Sequence, residues 1–113
     1  MAGSIDGTNK NFSVTATDDA GNFTTTADST NATVDDQLPV GTDGTISITG
    51  ASGAGGTFRV GDTVTASWDN TSSGDTNTDL AGVSVNFSQF GGSSVAANNN
   101  AGIWTATYTL VAG

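Results

Sequence analysis

A chain of 113 residues with 11 Asp, two basic residues and a net charge of −9, and with no Glu, His or Cys, has the length of one domain and a fraction. That balance excludes nucleic-acid binding by phosphate neutralisation, disulfides, Cys/His metal sites, thiol nucleophiles and imidazole bases, and no apolar run approaches the roughly 20 residues that span a bilayer. Phe, Leu, Ile and Val together number only 21, which leans towards disorder, while few strong helix formers and 20 Thr, 16 Gly, 12 Ser and 10 Asn point instead to strands joined by turns.

Met1–Lys10 has no apolar h-region, so a secreted form is expected to be a mature or internal fragment. Lys10–Asp18 alternates, with Phe12, Val14 and Ala16 on one face and Ser13, Thr15 and Thr17 on the other. A turn at Asp18–Asn22 and a more polar return over Phe23–Val34 make residues 10–34 a hairpin. Asp35–Pro39 reads as a linker, because Pro39 cannot donate to a ladder and holds Leu38 extended. Thr45–Thr49, with Ile46 and Ile48, precedes a Gly-rich loop at Gly50–Gly56, and Phe58 and Val60 are expected in a short strand. Thr63–Trp68 places Val64, Ala66 and Trp68 inward. A polar loop over Asp69–Asp79 leads to Gly82–Phe87, with Val83, Val85 and Phe87 inward. A weak strand near Ser94–Ala97 and a turn at Asn98–Asn100 precede Ile103–Val111, where Trp104, Ala106, Tyr108 and Leu110 share a face.

Seven or eight short strands with polar turns and two Trp predict an all-β, immunoglobulin-like β-sandwich. The alternation overrules disorder, since a half-buried sheet has few interior positions and this chain fills most of them.

The segments NFSVTATDDAGN (Asn11–Asn22), TVDDQLP (Thr33–Pro39) and RVGDTVT (Arg59–Thr65) resemble the tandem Ig-like repeats of giant bacterial surface adhesins, of the biofilm-associated and RTX types. The resemblance implies an extracellular or cell-surface location and a permuted register. Residues 1–34 would be the last two strands (F and G) of one repeat, 35–44 the inter-repeat linker, and 45–113 the first five strands (A to E) of the next. The ends fit this register: Tyr108–Gly113, joined through the shared Ala-Gly to Ser4–Ile5–Asp6, gives a strand, turn and next strand.

A lone hairpin and a five-stranded partial sandwich each leave apolar surface and edges uncovered. The expected partner is therefore a second copy of the chain, met head to tail by strand complementation, an open contact that yields filaments; a monomer closed on itself is the alternative.

The Asp residues carry a Ca²⁺ expectation. Asp75, Asn77 and Asp79 set oxygen ligands at alternate positions, as calcium loops do, although the Gly at position 6 and the distal Glu are missing. Sandwich topology would bring this loop, with Asp69, to the pole that holds Asp18, Asp19, Asn22, Asp35 and Asp36, while Asp62 and Asp6 would approach from the neighbouring unit. Calcium there would stiffen the joint as it does in cadherin-like rods. The plainer reading makes these residues turn formers and surface charge, as for Asp28 and Asp43; crowded like charges favour a cation.

No base accompanies Asp18–Asp19, so no enzyme is expected. The outward Thr rows read as a solvated sheet face. Trp68, Trp104 and Tyr108 lie in phase with the core and read as packing anchors rather than a sugar platform. Sequons at Asn11, Asn22, Asn31, Asn70 and Asn86 read as chance in so Ser/Thr-rich a chain. The expected function is a calcium-stiffened structural repeat of an extracellular adhesin or fibre; the alternative is a ligand- or carbohydrate-binding sandwich module.

Overall fold

The computed structural model describes residues 6–113; Ser4 and Ile5, part of the strand expected across the joined ends, lie outside the described residues. The described residues are all-β, with ten short strands, every pairing antiparallel, and three single-turn 3₁₀ segments. Ten rather than seven or eight strands arise because the expected Phe23–Val34 strand splits in two, Gly7–Lys10 and Asn98–Asn100 are added, and Phe58–Val60 drops out. The chain divides into two compact units, one up to Leu38 and one from Pro39.

The first unit is a ribbon. Strands β1 (Gly7–Lys10), β2 (Ser13–Thr17), β3 (Phe23–Ala27) and β4 (Ala32–Val34) pair as β1 with β4 and β2 with β3. The return expected as one strand over Phe23–Val34 is broken in the middle, where the Asn11 amide donates to Asn31 Oδ1 at 3.0 Å and the Asp28 N–H to the Phe12 carbonyl at 2.8 Å. Asp18 builds the turn: its Oδ1 accepts the N–H groups of Ala20 and Asn22, both at 2.9 Å, and its Oδ2 the Asn22 amide. This is the local side-chain capping that makes Asp a turn former. Gly21, at φ 93°, supplies the left-handed residue. Two strands have no interior, and Phe12 (66% exposed), Val14 (56%) and Phe23 (72%) all face solvent.

The second unit has two layers. One is a sheet of β5 (Ile46–Thr49), β6 (Thr63–Asp69), β9 (Asn98–Asn100) and β10 (Ile103–Thr109), in the order β5-β6-β10-β9. The other is the hairpin of β7 (Ser84–Asn86) and β8 (Ser94–Ala96). Asn98–Asn100, expected as a turn, is an edge strand: pairing with Ile103–Thr105 overrides the turn preference of Asn, and the reversal falls on Ala101–Gly102. Phe58–Val60 is not a strand. There the Asp62 carboxylate accepts the Arg59 N–H at 2.9 Å and curls the backbone out of any ladder.

The period-2 pattern sorts the sheet faces as expected. Register rows Ile46–Trp68–Trp104, Ile48–Ala66–Ala106 and Val64–Tyr108 lie on one face. The other face carries Ser47, Ser67 and Thr105 in one row and Thr49, Thr65 and Thr107 in the next. The core is small. Val64 (0% exposed), Phe87 (1%) and Ala106 (4%) are buried, with Phe58, Val85, Phe90, Val95 and Tyr108 among the side chains around them. Phe87 stacks on Tyr108 at 5.9 Å and meets Phe90 edge-on at 6.3 Å. Gly50, at φ +115°, sits against the Thr63 carbonyl, where a Cβ has no room.

Candidate functional site

The β7–β8 hairpin covers only the Val64–Tyr108 end of the sheet's apolar face. At the other end lies an open groove of about 440 Å³. Ile46, Ala66, Trp68 and Trp104 form its floor, Val83–Asn86 one wall and Pro39–Gly41 the other. The two indoles, expected to be core anchors, are only half buried because the second layer stops short of them. The Trp104 Nε1–H is buried and has no hydrogen-bond partner among the described residues. An unpaired buried donor costs free energy unless something supplies an acceptor.

The Pro39–Gly41 wall is held by the loop expected to bind calcium. Asn77 Oδ1 accepts the Val40 N–H and its amide donates to the Val40 carbonyl, both at 2.8 Å, which imitates a strand pairing. Asn70 braces Asn77 in turn, its Oδ1 accepting the Asn77 N–H at 2.7 Å. Asp75 is the hub. Its carboxylate accepts the Thr42 hydroxyl (2.7 Å), the Thr45 hydroxyl (2.7 Å), the Trp68 indole N–H (2.7 Å) and the Thr42 N–H (3.0 Å). These donors, the Thr42 hydroxyl foremost, hold the Asp75 carboxyl far below the usual carboxylate range.

The other acids divide in the same way. Asp69 accepts the hydroxyl and N–H of Thr71, at 2.6 and 2.8 Å, and these lower its pKa. Asp62 accepts the Ser52 hydroxyl at 2.6 Å and the N–H groups of Arg59 and Ser52, and is lowered by them in that order. Asp18 is lowered by the Asn22 amide and then the Asn22 N–H. Asp35 accepts the Gln37 N–H at 3.0 Å. Asp19 and Asp79 are exposed on their loops.

Asp6 behaves differently. Its Oδ1 accepts the Asp36 N–H, which alone would lower its pKa. A hydrogen bond with the Asp36 side chain, desolvation and the charges of Asp36 and Asp35 outweigh that and raise it. Among the described residues, no three acidic side chains come together in a group able to hold a metal ion. Of the loop residues expected to ligate calcium, Asp75 and Asn77 already accept internal donors, while Asp79 is exposed. Spacing along the chain could not reveal this, since Thr42 and Thr45 lie more than 30 positions from the loop's far end and only the fold brings them in.

No protein-family model, characterised protein or solved structure matches the chain.

Proposed function

We propose that the chain is a structural repeat of an extracellular bacterial adhesin or fibre, built as an immunoglobulin-like sandwich in permuted register and assembled head to tail from copies of itself. The observation that carries this reading is that each unit lacks what the other has. The ribbon that ends at Leu38 exposes the apolar side chains Phe12 and Val14, and the Pro39–Gly113 unit carries an open groove on its apolar sheet face. The order β5-β6-β10 supports the assignment of strands A, B and E, with β9 in the position of D and β7 in that of C. A sandwich of this type is completed by F and G beside C. Light scattering on the purified chain is expected to show particle mass rising with concentration; a mass that stays at one chain throughout would sink the reading. Oligosaccharide binding that quenches tryptophan emission in such a monomer would favour the ligand-binding module instead.

The divalent cation belongs in this reading at the junction between copies, where Asp6, Asp35 and Asp36 would need further oxygen ligands from a neighbouring copy. Calcium is expected to raise the melting temperature of the protein by a few degrees over EDTA, and Asp36→Asn to remove that difference. Equal melting of the parent protein in calcium and EDTA removes the cation from the proposal.

A further inference from the structure

Hydrogen-bond alternation along β7 and β2 says which groups each strand leaves open. The Ala97 N–H donates to the Val83 carbonyl at 2.8 Å and the Phe87 N–H to the Ser93 carbonyl at 3.1 Å. In an antiparallel ladder such pairs recur at every second residue. Val83, Val85 and Phe87 therefore bond towards β8, and Ser84 and Asn86 turn their N–H and C=O groups to the opposite edge, along the groove wall. On the ribbon, the Asp18 N–H donates to the Asn22 carbonyl and the Asp28 N–H to the Phe12 carbonyl, both at 2.8 Å. By the same alternation Phe12, Val14 and Ala16 bond towards β3, and Ser13, Thr15 and Thr17 present their backbone groups on the free edge of β2.

The two free edges match in parity. Residues opposite one another in an antiparallel pair have side chains on the same face. Pairing Ser84 and Asn86 with residues of the Ser13–Thr15–Thr17 set leaves all of those polar side chains outside. It turns Phe12, Val14 and Ala16 to the side of Val83 and Val85, over Trp68 and Trp104. A ribbon of the opposite parity would point its apolar row into water.

We infer that this groove is the acceptor site for strand β2 of a second copy of the chain, added antiparallel to the free edge of β7. The inference rests on the assembly reading above and assigns its contact. The occupant is another copy because the chain's own ribbon cannot reach. β7 starts at the Trp68–Trp104 end of the groove and runs towards Tyr108, so an antiparallel β2 runs back towards the indoles. β3 and β4 then carry the chain away again, their 5 and 3 residues together rising roughly 26 Å. The groove wall resumes with Pro39 at the indole end, and residues 35–38 extend at most roughly 14 Å. A second copy needs no return. Its ribbon lies in the groove and its own Pro39–Gly113 unit follows beyond the Tyr108 end. The same operation repeats without closing, which is an open, heterologous contact.

The chain's two tryptophans are both in the groove, so emission reports occupancy directly. On concentrating the full-length protein, the emission maximum is expected to move to the blue in step with particle mass. Ser84→Pro removes a free-edge donor without touching the β8 ladder, and Val14→Asp charges the inserted row at a position already exposed in the ribbon. Each variant should raise the concentration needed for both changes about tenfold or more. Mixed together, the two should form one-to-one pairs, since one keeps an intact groove and the other an intact ribbon. Growth of particles with unchanged emission, or variants that assemble like the parent, would overturn the groove as the contact while leaving self-assembly standing. Blue-shifted emission in a monomer at every dilution would overturn the second copy as occupant. A monomer with red emission throughout would remove the assembly reading and this site with it.

Discussion

Phe87→Ala is expected to unfold the Pro39–Gly113 unit in dilute solution at room temperature. Phe87 is one of three buried hydrophobic side chains among the described residues and bridges the two layers, stacking on Tyr108 from β10 and meeting Phe90 edge-on. Truncating a core Phe costs about 3–5 kcal/mol, and a core of this size in a unit of under ~80 residues supplies only about 3–5 kcal/mol in all. Urea titration followed by tryptophan emission should show a sigmoidal transition for the parent protein and none for the variant. Phe23→Ala is the control. Phe23 lies on the ribbon at 72% exposure, and its loss should change stability by no more than about 0.5 kcal/mol. A cooperative transition retained in Phe87→Ala would mean that the small cluster is not what holds the layers together.

Asp75→Asn comes next in size. The substitution replaces an acceptor-only carboxylate by an amide whose NH₂ must face at least one of the four donors from Thr42, Thr45 and Trp68. Charge-assisted bonds are lost and a donor is left facing a donor. The melting temperature is expected to fall by several degrees, and by the same amount in calcium as in EDTA, because the role is internal. A loss seen only in calcium would restore the loop as a cation site. The pH dependence follows from the direction of the shift. Asp75, Asp69 and Asp62 all titrate lower in the folded chain than their ordinary value of about 3.9. The unfolded chain therefore binds protons first on acidification. The stability these groups contribute is fully present above about pH 4 and is lost as pH falls below it. Asp75→Asn should flatten that acid limb. Asp6 has the opposite sign: its raised pKa means that protonation favours the folded ribbon, so Asp6→Asn should stabilise it at neutral pH.

Alternation made β2, β6 and β10 legible in advance, together with the inward placement of Val64, Phe87 and Ala106. Those strands are long or strongly patterned, and period-2 burial leaves a direct trace in residue order. The Asn98–Asn100 strand was not legible, because its three polar residues owe their conformation to a neighbour, β10, rather than to themselves. Nor could residue order say that the second layer ends before Trp68 and Trp104. Inward phase shows which face a side chain takes and is silent on whether anything lies above it. The internal bonding of the Asp-rich loop was hidden for a related reason. Its spacing displays oxygen atoms, and what becomes of them depends on donors delivered by distant segments, here Thr42, Thr45 and Trp68. For Asp18 and Asp62, by contrast, the donors are near in sequence, so their turn bonding could have been read from local residue order although crowded charge favoured a cation there.

The bracing of Val40 by Asn77, and of Thr42 by Asp75, has a kinetic meaning. One wall of the groove is already fixed by side-chain bonds that do not involve an occupant, and the ribbon's tip is fixed by Asp18 in the same manner. Both surfaces are preorganised, so little ordering entropy remains to be lost when they meet. Association between copies should then follow simple second-order kinetics, its rate proportional to the product of free grooves and free ribbons, without the lag that a folding-on-binding step would impose.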